Sequence, residues 1–573
     1  MKNLASILFL GLLSLTLFNS CSSSKLEDGT IELHLLSTND VHGKYFDVPY
    51  TSDMVQPSLL AVAAHVDSVR NIHDNVILVD VGDALQGDNA SYYFNFEDSL
   101  SAHIHARMAN YMKYDALVVG NHDVETGHGV YDRIIEDYDA PYLAANALKT
   151  NSDQPYFEPY TIIERQGVKI AIVGFTNPNN AAWLTSEIWS GMEFKSLIPM
   201  VQEVVDDVKK KENPHIVVVA AHTGLGLGDN SSYENRGLDL LKTLKGVDVL
   251  LCSHDHIAVT KIENDMILLN SGHRCHNIGE GTITLEVKDG KIVNKTLEHK
   301  LIKVNKYMID QKMKDEFMPD YLKVKDFSIR EIGEISRTIK TKDSFTGQSD
   351  YMNLIHTLAL KSSSAKVSLA APLTFNGVIK AGKLIYNDLF SIYPFENLLY
   401  EVEMSGKELK DYLEYSYDQW INSSDSEHLL KIKEKDGRCR FVNASFNFDS
   451  AAGINYEVDL SEKFGSRIKI SSLSDGSLFD LTTLYPVALS SYRYSGGGGL
   501  LENGAGINAE ELASRPFKVY PEMRDLLYIY VQNNKTIDFD KISKDSILGE
   551  WKFTTSTEFN INSRLADDAS LIF

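Results

Sequence analysis

Six short apolar runs recur between residues 31 and 300: IELHLL, NVILVDV, DALVVG, VKIAIVG, HIVVVAA and VDVLLC. Continuous runs of this kind, rich in β-branched residues, predict strands buried on both faces of an α/β domain. LLAVAAHVDSVRNI and IPMVQEVVDDVKKK place apolar residues at helical spacing and predict helices between the strands. GTITLEVKDGKIVNKTLEHKLIKV, with its KDGK turn, predicts a β-hairpin that closes this domain at residue 304. Residues 305–331 are charged, Met-rich and free of Gly, and predict a helical connector interrupted near Pro319. From residue 332 to 573 the texture mixes helices (YMNLIHTLALKS, GKELKDYLEYSYDQWI) with strands (LLYEVEM, YPVALSSY), which predicts a second, α+β domain. There is no internal repeat and no low-complexity tract beyond SGGGG at Ser495–Gly499.

The first residues have a different character. Lys2, an apolar stretch from Leu4 to Phe18, and then Asn19-Ser20-Cys21 read as a signal peptide over 1–20, too short to span a bilayer comfortably. Cys21 stands where a bacterial lipoprotein carries its lipid, and residues 21–30 then form a polar tether. The expectation is an exported cell-envelope lipoprotein, in the periplasm or on the outer-membrane surface, touching the membrane only through its N-terminal lipid. The other cysteines, Cys252, Cys275 and Cys439, are odd in number and widely spaced, which argues against a disulfide framework.

Composition narrows the partners. Hydrophobic content of 43% and aromatic content of 10% support large cores and exclude a disordered chain. A net charge of −23 with no long basic run excludes the phosphate grip of a nucleic-acid-polymer binder. An acidic protein can still hold a small phosphate ester if bound cations invert the local charge. No protein partner is evident.

The chemistry lies where the runs end. IELHLLSTNDVHG delivers Asp40 and His42, and VILVDVGD delivers Asp83. ALVVGNHD delivers Asn121 and His122, IVVVAAHTG delivers His222, and VLLCSHDH delivers His254 and His256. In open α/β sheets the ligand crevice lies beyond the carboxyl ends of the strands. Five turns therefore aim oxygen and imidazole donors at one region. Any one of these turns is more often an ordinary surface turn; the ordered combination is what is specific. It fits two divalent ions roughly 3.5–4 Å apart, with a carboxylate shared between them, able to hold a bridging hydroxide and clamp a phosphoryl group. Mixed His, Asp and Asn donors suit Zn²⁺, Mn²⁺, Co²⁺ or Mg²⁺.

This ordered set resembles the calcineurin-like metallophosphoesterases, and the chain beyond the tether resembles the 5′-nucleotidase family. The resemblance implies a four-layer α/β sandwich followed by a separate α+β nucleotide-binding domain. It implies that Asp40, His42, Asp83 and His256 hold one metal, and that Asp83, Asn121, His222 and His254 hold the other. His122 would then stabilise charge developing on the phosphoryl oxygens. The family's usual GNHEFD run has an Asp three residues after the His; here that position is Glu125, one methylene longer, and Asp123 replaces the usual Glu.

In the second domain YPFENLLYEVEMSGKELKDYLE, NFDSAAGINYEVD and SSYRYSGGGGL carry the resemblance. By it, Phe448 and Tyr492 sandwich the nucleobase, while Arg493, Gly496, Gly497 and Gly498 approach the substrate. Either aromatic alone is as readily a core residue. Two departures matter: Gly498 stands where the family carries a ribose-gripping Asp, and SLAAPLTFNGVIKAGKL lacks the family's phosphate-side Arg. Lys380, Lys383 or Arg493 remain to supply that charge. The AAP and YR-x-x-GGGG elements resemble the branch of 2′,3′-cyclic-nucleotide 2′-phosphodiesterases with 3′-nucleotidase activity. The expected activity is metal-dependent hydrolysis of nucleotide phosphate esters for salvage, leaning to cyclic and 3′-nucleotides. A 5′-nucleotidase or UDP-sugar hydrolase with the same mechanism is the alternative, and a non-catalytic nucleotide-binding lipoprotein the more distant one.

Overall fold

The apolar runs form strands, and a computed structural model describes residues 26–395, 397–435, 437–556 and 559–572. The signal peptide and Cys21 lie outside the described residues. No described helix is long and apolar enough to cross a membrane.

Twelve strands build two sheets in the first half. They are β1 (Gly29–Thr38), β2 (Val76–Asp80), β3 (Ala116–Val118), β4 (Tyr142–Leu143), β5 (Tyr160–Arg165) and β6 (Val168–Phe175), followed by β7 (Ile216–Ala221), β8 (Val249–Leu251), β9 (Ala258–Glu263), β10 (Met266–Ser271), β11 (Asn277–Lys288) and β12 (Lys291–Lys303). One sheet runs β12-β11-β1-β2-β3-β4, the other β9-β10-β8-β7-β6-β5. The central strands of each are parallel; antiparallel strands flank the second sheet on both edges and the first on one, its other edge, β4, being parallel to β3.

Alternation along each strand sorts side chains to two faces. Leu33, Leu35, Ile77 and Val79 meet Ile170, Ile172, Val218 and Leu251 between the sheets. Leu36, Val76 and Leu78 point the other way, into helices Leu59–Arg70 and Ile104–Met112. On the far side, Val217, Val219 and Leu250 pack beneath helices Leu197–Glu212 and Gly237–Thr243. The result is the expected helix–sheet–sheet–helix sandwich.

The connector differs from expectation. Gln311–Ser328 is one unbroken helix with Pro319 inside it. Proline costs this helix a backbone hydrogen bond. Buried Met313, Phe317, Tyr321 and Val324 flank it and anchor both halves in the core of the first half.

The second half centres on a five-stranded sheet containing Val367–Ala370, Leu398–Ser405 and Leu484–Ser490. The strand expected over YPVALSSY ends at Ser490, and Ser491–Tyr494 turns into a short helix. Helix Gly406–Trp420 begins at a capping box: the Glu408 amide donates to Ser405 Oγ, and the Ser405 amide donates to Glu408 Oε2. It buries Tyr412, Tyr417 and Trp420 against one face of the sheet. Helices Asp350–Ser362 and Met523–Asn534 cover the other face. Asn89 joins the halves, donating to Ser328 Oγ and Asn387 Oδ1 at 2.8 and 2.7 Å.

Candidate metal centre

The turns after β1, β2, β3, β7 and β8 converge, because both sheets present the carboxyl ends of their parallel strands to the same side. Asp40, His42, Asp83, His254 and His256 all hold positive φ, between 47° and 72°. Non-glycine residues rarely adopt this region, and such strain concentrates at functional sites. Gly120 has its own reason to be there: a Cβ would overlap Asp83 Oδ1 and the Asp83 amide.

Two donor clusters result. In the first, His42 Nε2 lies 3.0 Å from His256 Nε2, and Asp40 Oδ1 lies 3.5 Å from His256 Nε2. His42 Nδ1 faces the Gln86 carbonyl at 3.1 Å, so the proton sits on Nδ1 and the Nε2 lone pair points into the cluster. Asp40 Oδ1 is buried without a hydrogen-bond partner. In the second, His222 Nε2 lies 3.1 Å from Asp83 Oδ2 and 3.0 Å from Asn121 Oδ1. His254 Nδ1 lies 2.9 Å from the same amide oxygen. His222 Nδ1 donates to the Val81 carbonyl at 2.6 Å, which again leaves Nε2 for the cluster.

The electrostatics ask for cations. Burial pushes His42 and His254 down to about 3, so both are neutral, the form a metal needs. Burial works against His222 too, but the adjacent Asp83 carboxylate outweighs it and raises the imidazole to about 9. Burial likewise opposes ionisation of Asp83, yet His222, His122 and His42 hold its carboxyl well below the usual range. A pair of imidazole nitrogens facing each other, an orphaned carboxylate oxygen and a buried acidic pocket fit bound divalent ions with mixed N and O ligands.

Supporting residues were not legible beforehand. Asp123 is buried and accepts four backbone N–H bonds: from Gly120 at 2.8 Å and from Asp83, Ala84 and Leu85 at 3.0 Å. It ties the turn carrying Asp83 to the turn carrying Asn121. Asp255 does the same for the His254–His256 turn, accepting from the amides of Leu225 and Ile257 and from Asn270. Each acid sits beside a predicted ligand, and that adjacency was the only signal. Trp183 stacks on His254 at 5.4 Å and carries no motif that would single it out. His122 Nδ1 lies 2.5 Å from Glu125 Oε2, so the longer side chain reaches the ring.

Both clusters open into a cleft of about 770 Å³ shared by the two halves. His42, Asn121, His122, His254 and His256 line one end; Phe395, Phe446, Tyr492 and Gly496 to Gly498 line the other. Phe446 stands 6.2 Å from both Phe395 and Tyr492, forming an aromatic row.

Two expected substrate contacts need correction. Phe448 is fully buried, stacked on Trp420 at 5.5 Å and 12°, and does not line the cleft. Phe446, two residues earlier, is the exposed one. Arg493 borders the cleft, but its guanidinium is 3% exposed and its donors are spent on Asp449, Asn447 and the carbonyls of Phe446 and Gly497. It braces the aromatic and glycine loops and has no donor left for a phosphate. Gly498 stands at φ 74°, and a Cβ there would meet Asn447 Oδ1 at 2.6 Å, so an acidic side chain has no room. Lys383 pairs with Glu331, and neither it nor Lys380 lines the cleft. Arg274 does line it, exposed and without an ion pair among the described residues. Its amide donates to the Asp40 carbonyl at 2.7 Å.

The chain is similar to known proteins along most of its length. Residues 33–258 match the calcineurin-like phosphoesterase model, and residues 331–503 match the 5′-nucleotidase C-terminal domain model. It is 23% identical over 555 residues to the 2′,3′-cyclic-nucleotide 2′-phosphodiesterase/3′-nucleotidase of Salmonella typhimurium, covering 84% of each chain. It is 25% identical over 542 residues to the trifunctional nucleotide phosphoesterase protein YfkN of Bacillus subtilis, covering 82% of this chain but only 36% of that one. It shares the fold of the 5′-nucleotidase precursor from Thermus thermophilus, with a TM-score of 0.60 at 19% identity over 91% of this chain and 99% of that one. Strand-end donors, a metal-ready pocket and both domain models agree: the chain belongs to the calcineurin-like metallophosphoesterases that carry a 5′-nucleotidase C-terminal domain, a family of metal-dependent phosphoric ester hydrolases.

Proposed function

We propose that this protein hydrolyses nucleotide phosphate esters, with preference for 2′,3′-cyclic nucleotides and 3′-nucleotides. The observation that carries the reading is one cleft with cation-seeking donors at one end and a row of exposed aromatics at the other. In this reading residues 31–304 form the catalytic domain, 332–573 the nucleotide-binding domain, and 305–331 join them.

Asp40, His42, Asp83 and His256 would hold one divalent ion, and Asp83, Asn121, His222 and His254 a second. Bound there, the ions supply Lewis acidity to the phosphoryl group and to the attacking water. His122, held by Glu125, stabilises negative charge building on the phosphoryl oxygens. Phe446, Tyr492 and Phe395 take the base by stacking, which tolerates any base identity. Arg274 takes the place of the missing phosphate-side arginine, because it is the cleft-lining cation whose guanidinium is not already committed. Water adds to phosphorus, one P–O ester bond breaks, and the departing ribose oxygen receives a proton. In a cyclic diester the broken bond is to the 2′ oxygen, leaving a 3′-monophosphate that the same site opens to nucleoside and phosphate.

The AAP segment at Ala370-Ala371-Pro372, the Tyr492-Arg493 pair before four glycines, and the named activity of the Salmonella relative support the cyclic and 3′ preference. Export and anchoring through a lipid on Cys21 belong to the same reading. The deciding experiment presents 2′,3′-cyclic AMP, 3′-AMP, 5′-AMP and a UDP-sugar to metal-loaded protein. Higher kcat/KM for the first two is expected. Preference for 5′-AMP overturns the specificity, and no turnover of any of the four overturns the reading. Incorporation of labelled fatty acid into wild type but not Cys21→Ala tests the anchor, and equal labelling of both rejects it.

A further inference from the structure

A second constellation of metal-ligating side chains lies at the opposite end of β1 from the phosphoester centre. Glu32 and His34 are two residues apart in a strand, so they share a face. That face is the outer one, on which helix Leu59–Arg70 packs. His34 lies about 13 Å along the strand from Thr38, after which the chain turns into the Asp40 loop.

The turn 71–75 is fastened beside it. The His34 amide donates to the Asn75 carbonyl at 2.9 Å, and Asn75 Nδ2 donates to the Glu32 carbonyl at 3.0 Å. This brings the ring of His73 onto that of His34, with centroids 3.6 Å apart and planes at 29°. Glu32 Oε2 lies 3.7 Å from His34 Nε2. One donor atom from each of Glu32, His34 and His73 falls within 4.8 Å of the others. Bonds of about 2.0–2.1 Å in a tetrahedral shell put donor atoms about 3.4 Å apart, so small side-chain rotations close the set around one ion.

A separate observation points to a ligand. His34 is 5% exposed, yet neither Nδ1 nor Nε2 has a hydrogen-bond partner. Buried polar atoms are almost always satisfied, and an imidazole with both nitrogens unpartnered calls for an explanation. The neighbouring charges do not supply a partner: Glu280 is engaged by Lys300 at 2.8 Å and faces His65 at 3.9 Å. Glu32 is half-exposed, which gives an ion a route in and leaves a position for water.

We propose that Glu32, His34 and His73 form a further cation site for a borderline transition-metal ion such as Zn²⁺, which staples the 71–75 turn to β1 and takes no part in phosphoester chemistry. The set of two imidazoles and one carboxylate suits Zn²⁺ better than Mg²⁺ or Ca²⁺, which take oxygen donors.

The test compares wild type with His73→Ala and Glu32→Gln, both on the surface side of the site, in the full mature chain. Each is stripped with chelator, dialysed against Zn²⁺ and assayed for bound zinc per chain by mass spectrometry. The proposal expects each variant to bind one zinc fewer than wild type, to lose part of the zinc-induced rise in Tm, and to keep phosphoesterase activity. Equal zinc content in wild type and both variants overturns it. So does loss of activity in step with zinc, which would assign the missing ion to the phosphoester centre.

Discussion

The two ends of the cleft are built by different means. At the metal end the functional side chains stand just past buried strands, Asp40, His42, Asp83, His254 and His256 at positive φ, and Asp123 and Asp255 brace the segments that carry them. At the aromatic end Phe395, Phe446 and Tyr492 come from three separate segments and lean on one another beside the buried Arg493–Asp449 pair. Polar donors at strand ends cannot be hidden in a core without partners, so they announce a site. Aromatic rings serve a core and a ligand equally well, so their presence near a motif says little until packing is known.

That contrast can be broken or sharpened by substitution. The largest effect belongs to Asp83→Asn, which removes the carboxylate that the proposed function shares between two ions: kcat should fall by about 10³-fold or more, with loss of bound metal. Turnover within tenfold of wild type would remove Asp83 from the chemistry.

Next is Asp123→Asn, which replaces two acceptor oxygens by one and leaves at least one backbone N–H facing a donor. Its carboxylate bonds backbone amides, that of Asp83 included, and no side chain of either donor cluster, so its effect tests bracing alone. We expect a drop in kcat of about 10²-fold, the scale of a misplacement near 1 Å. An unchanged kcat would mean the turns hold their shape without it.

The aromatic end is tested by a pair two residues apart. Phe446→Ala should raise KM for nucleotides about tenfold, consistent with one lost base stack, while Tm stays near wild type. Phe448→Ala should instead cost about 3–5 kcal/mol of stability, as a large buried side chain does. A KM effect from Phe448→Ala at unchanged Tm would place Phe448 against the substrate rather than in the core.

Smallest is Arg274→Ala, which removes one exposed charge from the phosphate end. A several-fold rise in KM for 3′-AMP is expected, partly restored by Lys and diminished at high salt, since an exposed charge is screened. If Arg274→Ala is silent, the substrate's charge is met by the metal centre and His122 alone.

Much of this molecule is legible in its sequence. The α/β and α+β textures followed from the period of apolar positions, because buried parallel strands have no other way to look. The strand-end donors Asp40, His42, Asp83, Asn121, His222, His254 and His256 were legible for the same reason that they are costly to bury. Pro319 misled: its local penalty predicted a broken connector, but the helix continues because Met313, Phe317, Tyr321 and Val324 bury on both sides of it. Phe448 misled more instructively. SFNFDS holds two phenylalanines two residues apart, and the 3-10 turn Ser445–Asn447, at three residues per turn, keeps them off a common face. Which side is core depends on Trp420 and Phe345, and Phe345 lies more than a hundred residues away in sequence.

By itself, then, the sequence determined where strands end and which donors stand at those ends, since both are local properties of a chain whose polar groups must be satisfied. Only the tertiary structure decided which donors pair within hydrogen-bonding distance, that Arg493 is spent on Asp449 while Arg274 is not, and that Phe446 faces the cleft. It alone also brought His73 onto His34. Those outcomes depend on what packs against each side chain from distant segments, and local pattern carries no record of that.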